Sequence, residues 1–245
     1  MCGLVPVVMV NAGLDQLVER RRMDILKKEQ AGFTLVEIAI VLVIIGLLIG
    51  GILKVQGMIT NTKLKRVESD NAGLISALYS YQDRYLQLPG DDSTASDRFT
   101  VYAGATLNNG DGDGLIGDGT DWRSNTAWAV AGDSETTKFF GHLRAAGLIT
   151  GSAFDRNRPI NAFGGEIGIQ QGSLEMIGQV VILGSIDGSI ARILDRRLDD
   201  GVLNTGRTRS ALASGGTAMD ANTTPAAIEY IDTGIFHMAF RLLSR

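Results

Sequence analysis

An apolar run from Phe33 to Leu53 constrains this chain more than any other feature of its sequence. The run reads FTLVEIAIVLVIIGLLIGGIL and is closed by Lys54. About 20 residues form roughly 30 Å of helix, which is enough to cross the hydrocarbon core of a bilayer. We therefore predict a transmembrane helix at residues 33–53.

A single charged residue, Glu37, lies inside this run. A full charge at mid-bilayer costs roughly 3 kcal/mol on insertion scales, and such a residue usually has an assigned partner. No lysine or arginine lies within a helical turn of Glu37 inside the run. We therefore expect the partner of Glu37 to come from elsewhere.

Basic residues precede the run, and they are Arg20, Arg21, Arg22, Lys27 and Lys28. An excess of positive charge on one side places that side in the cytoplasm, so the chain after Lys54 is expected outside it. A secretory signal peptide is the alternative interpretation. It would have a shorter apolar core followed by a small-residue cleavage site, whereas this run continues into a helical pattern.

The residues after Lys54 continue the helix with one apolar face. Apolar side chains recur there at steps of three, four or seven, at Leu64, Val67, Leu74, Leu78, Tyr81, Tyr85 and Leu88. This spacing is typical of an amphipathic helix, and no proline intervenes before Pro89. We predict one continuous helix over residues 34–87, apolar all round in its first half and amphipathic in its second.

Residues 88–245 are predicted to form a globular head that begins with a turn-rich connection over residues 88–125. Composition and periodicity predict its later elements. These are helices at 134–149 and 189–198, strands at 166–170, 175–183 and 228–243, and a loop at 204–224.

The charge argues against a nucleic-acid-binding protein, and the cysteine content excludes a disulfide framework. The formal net charge is −4, so no strongly basic surface indicates a nucleic-acid partner. Cys2 is the sole cysteine, so a disulfide within the chain is impossible.

The residues around Gly32 carry a specific pattern. They read KKEQAG followed by FTLVE, which is a basic leader, a glycine, an aromatic residue, then T-L-V-E and a long apolar stretch. This pattern resembles the N-terminus of type IV pilins and of the related pseudopilins of type II secretion. Beyond that region the chain resembles the family only in layout, as a long helix, a variable connection and then strands.

The resemblance implies a processing site and an assembly contact. A membrane-embedded prepilin peptidase would cut between Gly32 and Phe33 and methylate the new Phe33 amine, so that residues 1–32 are a leader peptide. Glu37 would meet the Phe33 amine of a neighbouring subunit as the helices bundle into a filament. A carboxylate in an apolar bundle is tolerable when an opposite charge lies within about 4 Å.

The leader as printed is longer than the family's usual one. Residues from Met23 read MDILKKEQAG, which is a compact basic leader of the kind that the family uses. We therefore predict that translation starts at Met23.

The stretch NNGDGDGLIGDGTD at residues 108–121 has the spacing of the first half of an EF-hand calcium loop. The expected glutamate at the twelfth position is replaced by Thr120, so a solvated Gly/Asp turn is the alternative. In a chain without disulfides, calcium at this loop would stabilise the head. The predicted ligands are Asn109, Asp111, Asp113 and the Leu115 carbonyl, with Asp118, Thr120 or Asp121 closing the shell.

Signals for catalysis are weak. His142 and His237 have no cysteine or second histidine at metal-ligand spacing, so both are predicted to be structural. Ser134 fits a helix cap better than a nucleophile. Trp122 and Trp128 are predicted to form core under the turn-rich connection rather than a binding surface.

These observations predict an α+β fold, in which a long N-terminal helix carries a small antiparallel β-sheet head on its amphipathic half. The predicted function is that of a structural, non-enzymatic subunit of a type IV pilus-like filament. The expected partners are other pilin subunits, prepilin peptidase, the inner-membrane assembly machinery and membrane lipid. Before assembly the protein would cross the inner membrane once, with a periplasmic head, and afterwards it would lie in a pilus or cell-surface filament.

Two other functions stay open from the sequence. One is a pseudopilin of a type II secretion system. The other is a monomeric periplasmic binding protein or enzyme that the same helix anchors in the membrane.

Overall fold

The computed structural model of the chain describes residues 32–99, 107–119, 122, 135–153, 155, 157–213, 219–225 and 229–242. The predicted leader before Gly32, and Met23 with it, lies outside the described residues. So do Thr120, Asp121, Trp128 and Ser134.

The longest element is helix α1, which spans Leu35–Tyr85 and contains 51 residues. Its bounds differ by one or two residues from those that the sequence predicts. The helix ends where Leu86 adopts a left-handed φ of +58°, just before Pro89. Contacts divide the chain into two compact units between Gly57 and Met58.

The two parts of α1 differ in burial. Every large apolar side chain from Phe33 to Ile59 is exposed. Within the described residues, α1 is the one helix whose length and composition suit a membrane crossing. Beyond Ile59 the helix has one buried face, formed by Leu64, Val67, Leu74, Ala77, Leu78 and Tyr81. The predicted change from an apolar to an amphipathic helix is confirmed.

Four strands form one antiparallel sheet in the order β1-β2-β4-β3. They are β1 (Ile167–Ser173), β2 (Met176–Asp187), β3 (Thr208–Leu212) and β4 (Ile235–Arg241). Shorter helices complete the described elements: α2 (Ala95–Arg98), α3 (Glu135–Ala145) and α4 (Gly188–Leu198). The predicted fold class, a long helix with an antiparallel sheet, is confirmed.

Side chains of the sheet alternate between two cores, as the period of a strand requires. On β2, Val181 and Leu183 belong to the larger core, which also contains the buried face of α1, α3 and α4. Val180 and Ile182 point to the opposite face and pack with Trp122. Both faces of the sheet are therefore covered within the head.

The structure corrects two predicted elements. Strand β3 lies inside residues 204–224, which the sequence predicts as a loop. The strand was missed because its pairing partner, β4, is distant in the chain. The last strand begins at Ile235 rather than at residue 228. A turn precedes it, in which the Gly234 N–H donates to the Ile231 carbonyl at 2.9 Å, so residues 229–234 do not continue the strand.

Backbone pairing from loops covers both edges of the sheet. At the β1 edge the Gln171 N–H donates to the Ile116 carbonyl at 2.8 Å, and at the β3 edge the Ser210 N–H donates to the Leu203 carbonyl at 2.9 Å. Covered edges protect a sheet from pairing with other chains. The first of these contacts also places the Asp/Gly loop, residues 108–121, beside β1.

Candidate functional site

The N-terminus of α1 is built around Thr34 and Glu37. The Thr34 N–H and hydroxyl both donate to Glu37 Oε2 at 2.9 Å, and the Glu37 N–H donates to Thr34 Oγ1 at 3.2 Å. This reciprocal arrangement is a capping box, which satisfies backbone donors that a helix start leaves unpaired. Glu37 therefore has a local role that the sequence interpretation missed, although T-x-x-E is its known signal.

No ion pair with Glu37 forms among the residues that the structure describes. Phe33 is exposed, and a Cβ added to Gly32 would meet nothing within 4 Å. Packing against the described residues therefore does not explain a glycine at position 32. A cationic partner for Glu37 has to be sought outside the described chain.

A second candidate site lies where the Asp/Gly loop contacts Asp91 and Glu135. The Asp91 carboxylate accepts bonds from the N–H groups of Gly112 at 2.7 Å and Gly114 at 3.0 Å. The Glu135 carboxylate accepts bonds from the N–H groups of Asp111 and Gly117, both at 3.0 Å. The loop is thus wrapped around two carboxylates that come from the start of the head and from the start of α3.

The carboxylates of Asp91, Asp111, Asp113 and Glu135 converge, and we call this group the carboxylate cluster. One oxygen from each lies within 4.8 Å of those of the others. Burial raises the pKa of Asp91 and of Glu135 above the ordinary value. Donated N–H bonds oppose this rise in pKa, and the neighbouring carboxylates add to it. Such a set of oxygens suits a hard cation such as Ca²⁺.

The apolar N-terminal half of α1 and the residues just before it match a known family model. The family model described as the prokaryotic N-terminal methylation motif matches residues 27–53, which include Gly32, Phe33 and Glu37. The N-terminus of this chain is therefore similar to that of type IV pilins and pseudopilins.

Two other comparisons add little to this match at the N-terminus. The structure of the major type IV pilin PilA1 from Clostridium difficile is similar at 12% sequence identity and a TM-score of 0.36. The similarity covers 76% of this chain and 98% of that one. No protein of curated function matches. The likeness to type IV pilins and pseudopilins therefore rests on the motif at residues 27–53.

The structure brings only some of the predicted calcium ligands together. Asp111 and Asp113 lie in the carboxylate cluster, whereas Asp118 is not among its members. Asn109 Oδ1 accepts a bond from the Ser96 N–H at 2.7 Å, and the Leu115 N–H donates to Asp113 Oδ1 at 2.8 Å. Thr120 and Asp121 lie outside the described residues.

Asp91 and Glu135 are the members of the cluster that sequence reasoning missed, since each is distant in the chain from the predicted loop. Two loop glycines show how the backbone reaches them. A Cβ on Gly110 would lie 2.2 Å from the Asp91 carbonyl carbon, and Gly114 has a φ of +86°. A side chain at Gly110 would collide with the Asp91 backbone, and one at Gly114 would strain the turn.

Both histidines are buried and hydrogen-bonded within the head. His142 Nδ1 accepts from the Gly90 N–H and Nε2 lies against the Asn108 carbonyl, both at 2.9 Å, so Nε2 carries the proton. Burial lowers the pKa of His142 to about 4. His237 accepts a bond from the Ser185 N–H and packs edge-on against Trp122, which is buried as predicted.

A second acidic group, Asp195, Asp199 and Asp200, differs from the carboxylate cluster in its partners. Asp195 is fully buried and accepts a bond from the Tyr230 hydroxyl at 2.8 Å. Burial raises its pKa to about 6. Asp199 and Asp200 accept bonds from neighbouring backbone N–H groups, and these acids serve to fix the chain after α4.

Proposed function

We propose that this protein is a subunit of a type IV pilus-like filament. Helix α1 inserts it in the inner membrane, prepilin peptidase removes the leader between Gly32 and Phe33, and the assembly machinery adds it to the filament. The observation that carries the proposal is the methylation motif. It lies at the start of a helix half whose large apolar side chains are exposed. In a filament, neighbouring helices replace the lipid around that half.

Glu37 acts in this proposal as the contact between subunits. Its capping box holds the carboxylate at the N-terminal end of α1, which is where the Phe33 amine of a neighbour would arrive. A negative group is also favoured at that end by the helix dipole. One amine and one carboxylate in each subunit would then set the stagger of adjacent helices.

Processing is tested by the intact mass of the protein purified from cells with and without prepilin peptidase. The expected product in peptidase-positive cells begins at Phe33 and carries one added methyl group. Peptidase-negative cells should give the chain with its leader attached. A leader that stays attached in both strains would favour a simple membrane anchor and contradict the proposal.

The start of translation at Met23 is a separate proposal with its own test. Mutation of the Met23 codon should abolish the protein. Unchanged protein levels, and a leader of unchanged length, would show that synthesis starts elsewhere.

The sequence alone favours a pilus over a secretion pseudopilus. Deletion of the gene should remove surface filaments and leave the secretion of proteins intact. Loss of secretion with unchanged surface filaments would assign the subunit to a type II secretion system instead.

We further propose that the carboxylate cluster binds calcium and that the ion stabilises the head. The described ligands would be Asp91, Asp111, Asp113 and Glu135, which differ from the set that the loop sequence predicts. The support is electrostatic. Burial and the neighbouring carboxylates raise the pKa of Asp91 and of Glu135, and a bound cation would offset the repulsion between these carboxylates. Calorimetric titration of the full-length chain in detergent should show calcium binding, with magnesium weaker because it demands a stricter octahedron.

A further inference from the structure

A groove at the end of α1 carries two large apolar side chains that the fold leaves uncovered. They are Leu86, which is 86% exposed, and Ile177, which is 82% exposed, and both line the groove. Leu86 also has a left-handed φ of +58°, which is unfavourable for a leucine. Apolar side chains that are exposed together in this way mark a surface that contacts another protein.

The charge beside this groove is mainly negative. The Asp/Gly loop forms one wall, and its acids Asp111 and Asp113 are exposed. Asp83 is also exposed, one turn before the exposed leucine, and it forms no ion pair with the described residues. The bases here are Arg241, which lines the groove, and Arg84, whose guanidinium donates to a backbone carbonyl. We call this region, with its three exposed acids, the acidic groove.

Exposed bases gather at another level of α1, where the end of α4 contacts that helix. The Arg197 guanidinium fixes this level, because it lies 3.1 Å from Asn61 Oδ1 and 3.4 Å from Glu68 Oε1. We call the exposed bases at this level the basic surface. They are Lys63, Lys65, Arg66, Arg196 and Arg197.

The acids near the basic surface bond within the head. Glu68 and Asp70 each pair with one of its arginines. Asp199 and Asp200, which follow α4, accept bonds from N–H groups of the next loop. Three cations of the basic surface form no ion pair with the described residues and are therefore open to an acidic partner. These are Lys63, Lys65 and Arg196.

The acidic groove and the basic surface lie far apart along α1. Lys65 and Asp83 are separated by roughly 27 Å of helix at 1.5 Å per residue. Opposite charges on two separate parts of one molecule favour a head-to-tail contact between copies. A contact of this kind extends into a helical filament when its rotation does not close a ring.

We propose that the acidic groove of one copy receives the basic surface of the next. Met58 and Ile59, which are 63% and 51% exposed and come just before Lys63, would then cover the exposed Leu86 and Ile177. This proposal rests on the proposed filament and specifies one contact within it. The charges set the orientation of the contact, and the apolar side chains exclude water from it.

Crosslinking of purified filaments with a carbodiimide tests the contact, because this reagent joins a lysine amine to a carboxylate only when the two touch. Mass spectrometry of the digested filaments should find links from the lysines of the basic surface to the acids of the acidic groove. These are Lys63 and Lys65 on one side and Asp83, Asp111 and Asp113 on the other. The same protein dispersed in detergent should lack these links, since one chain holds the two groups apart.

Charge reversal gives a second readout. Lys65→Glu and Asp83→Lys should each lose most filaments, and the double variant should regain part of them. All three should melt as the wild type does, because neither residue forms an ion pair with the described residues. Lys65→Arg is the matched control, since it keeps the charge, and it should assemble normally. If Lys65→Glu melts lower, Arg196→Glu repeats the reversal on α4.

Three results would overturn the proposed contact. These are filaments that crosslink elsewhere but lack the expected links, normal filament yield in Lys65→Glu, and a double reversal that recovers no filaments after both single reversals have lost them. A wild-type protein that forms no filament would overturn the proposed function, and this contact with it.

Discussion

Residues 35–57 and 58–85 belong to one continuous helix, yet the chain buries side chains only in the second part. Leu48 in the first part is 60% exposed, whereas Leu78 in the second is 1% exposed. Among the described residues, nothing covers the apolar side chains of the first part. Those of the second part are covered by the head.

Polar groups show the same contrast. In the first part, the bonds that Glu37 makes are to Thr34, three residues away. In the second part, the Tyr81 hydroxyl donates to Asp92 at 2.6 Å, and Arg197 on α4 contacts Glu68 at 3.4 Å. The second part is thus fixed by tertiary bonds to the head.

The largest expected effect separates the two roles of Glu37. Glu37→Ala removes both the capping box and the charge, whereas Glu37→Gln keeps a capping side chain and removes the charge. If the charge pairs with a neighbour's Phe33 amine, both variants should lose nearly all filaments while they still insert in the membrane. Filament yield is measured by shearing cells and by electron microscopy.

Asp70→Asn provides a control for Glu37→Gln, because Asp70 is a partly exposed acid on the second part of α1 that pairs with Arg66. It should leave filament yield unchanged, since exposed pairs of this kind are worth only about 0.3–0.5 kcal/mol. Normal filaments in Glu37→Gln together with their loss in Glu37→Ala would show that capping, and not charge, is what assembly requires.

The next effect compares one substitution at two positions of the same helix. Leu78→Ala should lower the free energy of unfolding of the head by about 2–5 kcal/mol, because it leaves a cavity in the larger core. Leu48→Ala should leave that free energy unchanged. Denaturant unfolding of the full-length chain in detergent, followed by tryptophan fluorescence, measures both. Equal losses of stability would contradict the division of α1 into an uncovered part and a covered part.

Periodicity was enough to predict the helix, and the residues around Gly32 were enough to predict the match to the methylation motif, because both signals are local. Strand β3 was missed because TRSAL has weak strand character, and its pairing with β4 is a long-range contact. Asp91 and Glu135 were missed for the same reason, since Asp111 comes near them only after folding. The local partner of Glu37 was present in the sequence as T-x-x-E and was overlooked.

Calcium tests the carboxylate cluster, in which four acids lie close together. A ligand that binds only the folded state at 100 times its Kd adds about 2.7 kcal/mol of stability. The wild-type chain should therefore melt higher in calcium than in chelator, and Asp111→Ala with Asp113→Ala should abolish the difference.

Two further variants distinguish the predicted ligand sets. Glu135→Gln should weaken the calcium effect if the ligands are those of the carboxylate cluster. Asp118→Asn should leave the effect intact, since Asp118 is outside that cluster. The reverse pattern would favour the ligands predicted from the loop sequence, and equal melting of the wild type with and without calcium would return the loop to a solvated turn.

The smallest effect concerns a buried acid whose partner is internal. Burial raises the pKa of Asp195 from 3.8 to about 6, so the folded state holds a proton that the unfolded state has released. Stability from this group is present below about pH 4 and is lost as the pH rises through about 6. Asp195→Asn removes the titration and retains an acceptor for the Tyr230 hydroxyl. The variant should therefore gain on the order of 1 kcal/mol in free energy of unfolding relative to the wild type between pH 5 and 7.

Asp200→Asn is the control, because bonds from Thr205 and Val202 lower the pKa of Asp200, and it should show no such gain. Parallel pH profiles for the wild type and Asp195→Asn would mean that Asp195 is ionised in the folded head and that the second acidic group, like the first, needs a positive partner.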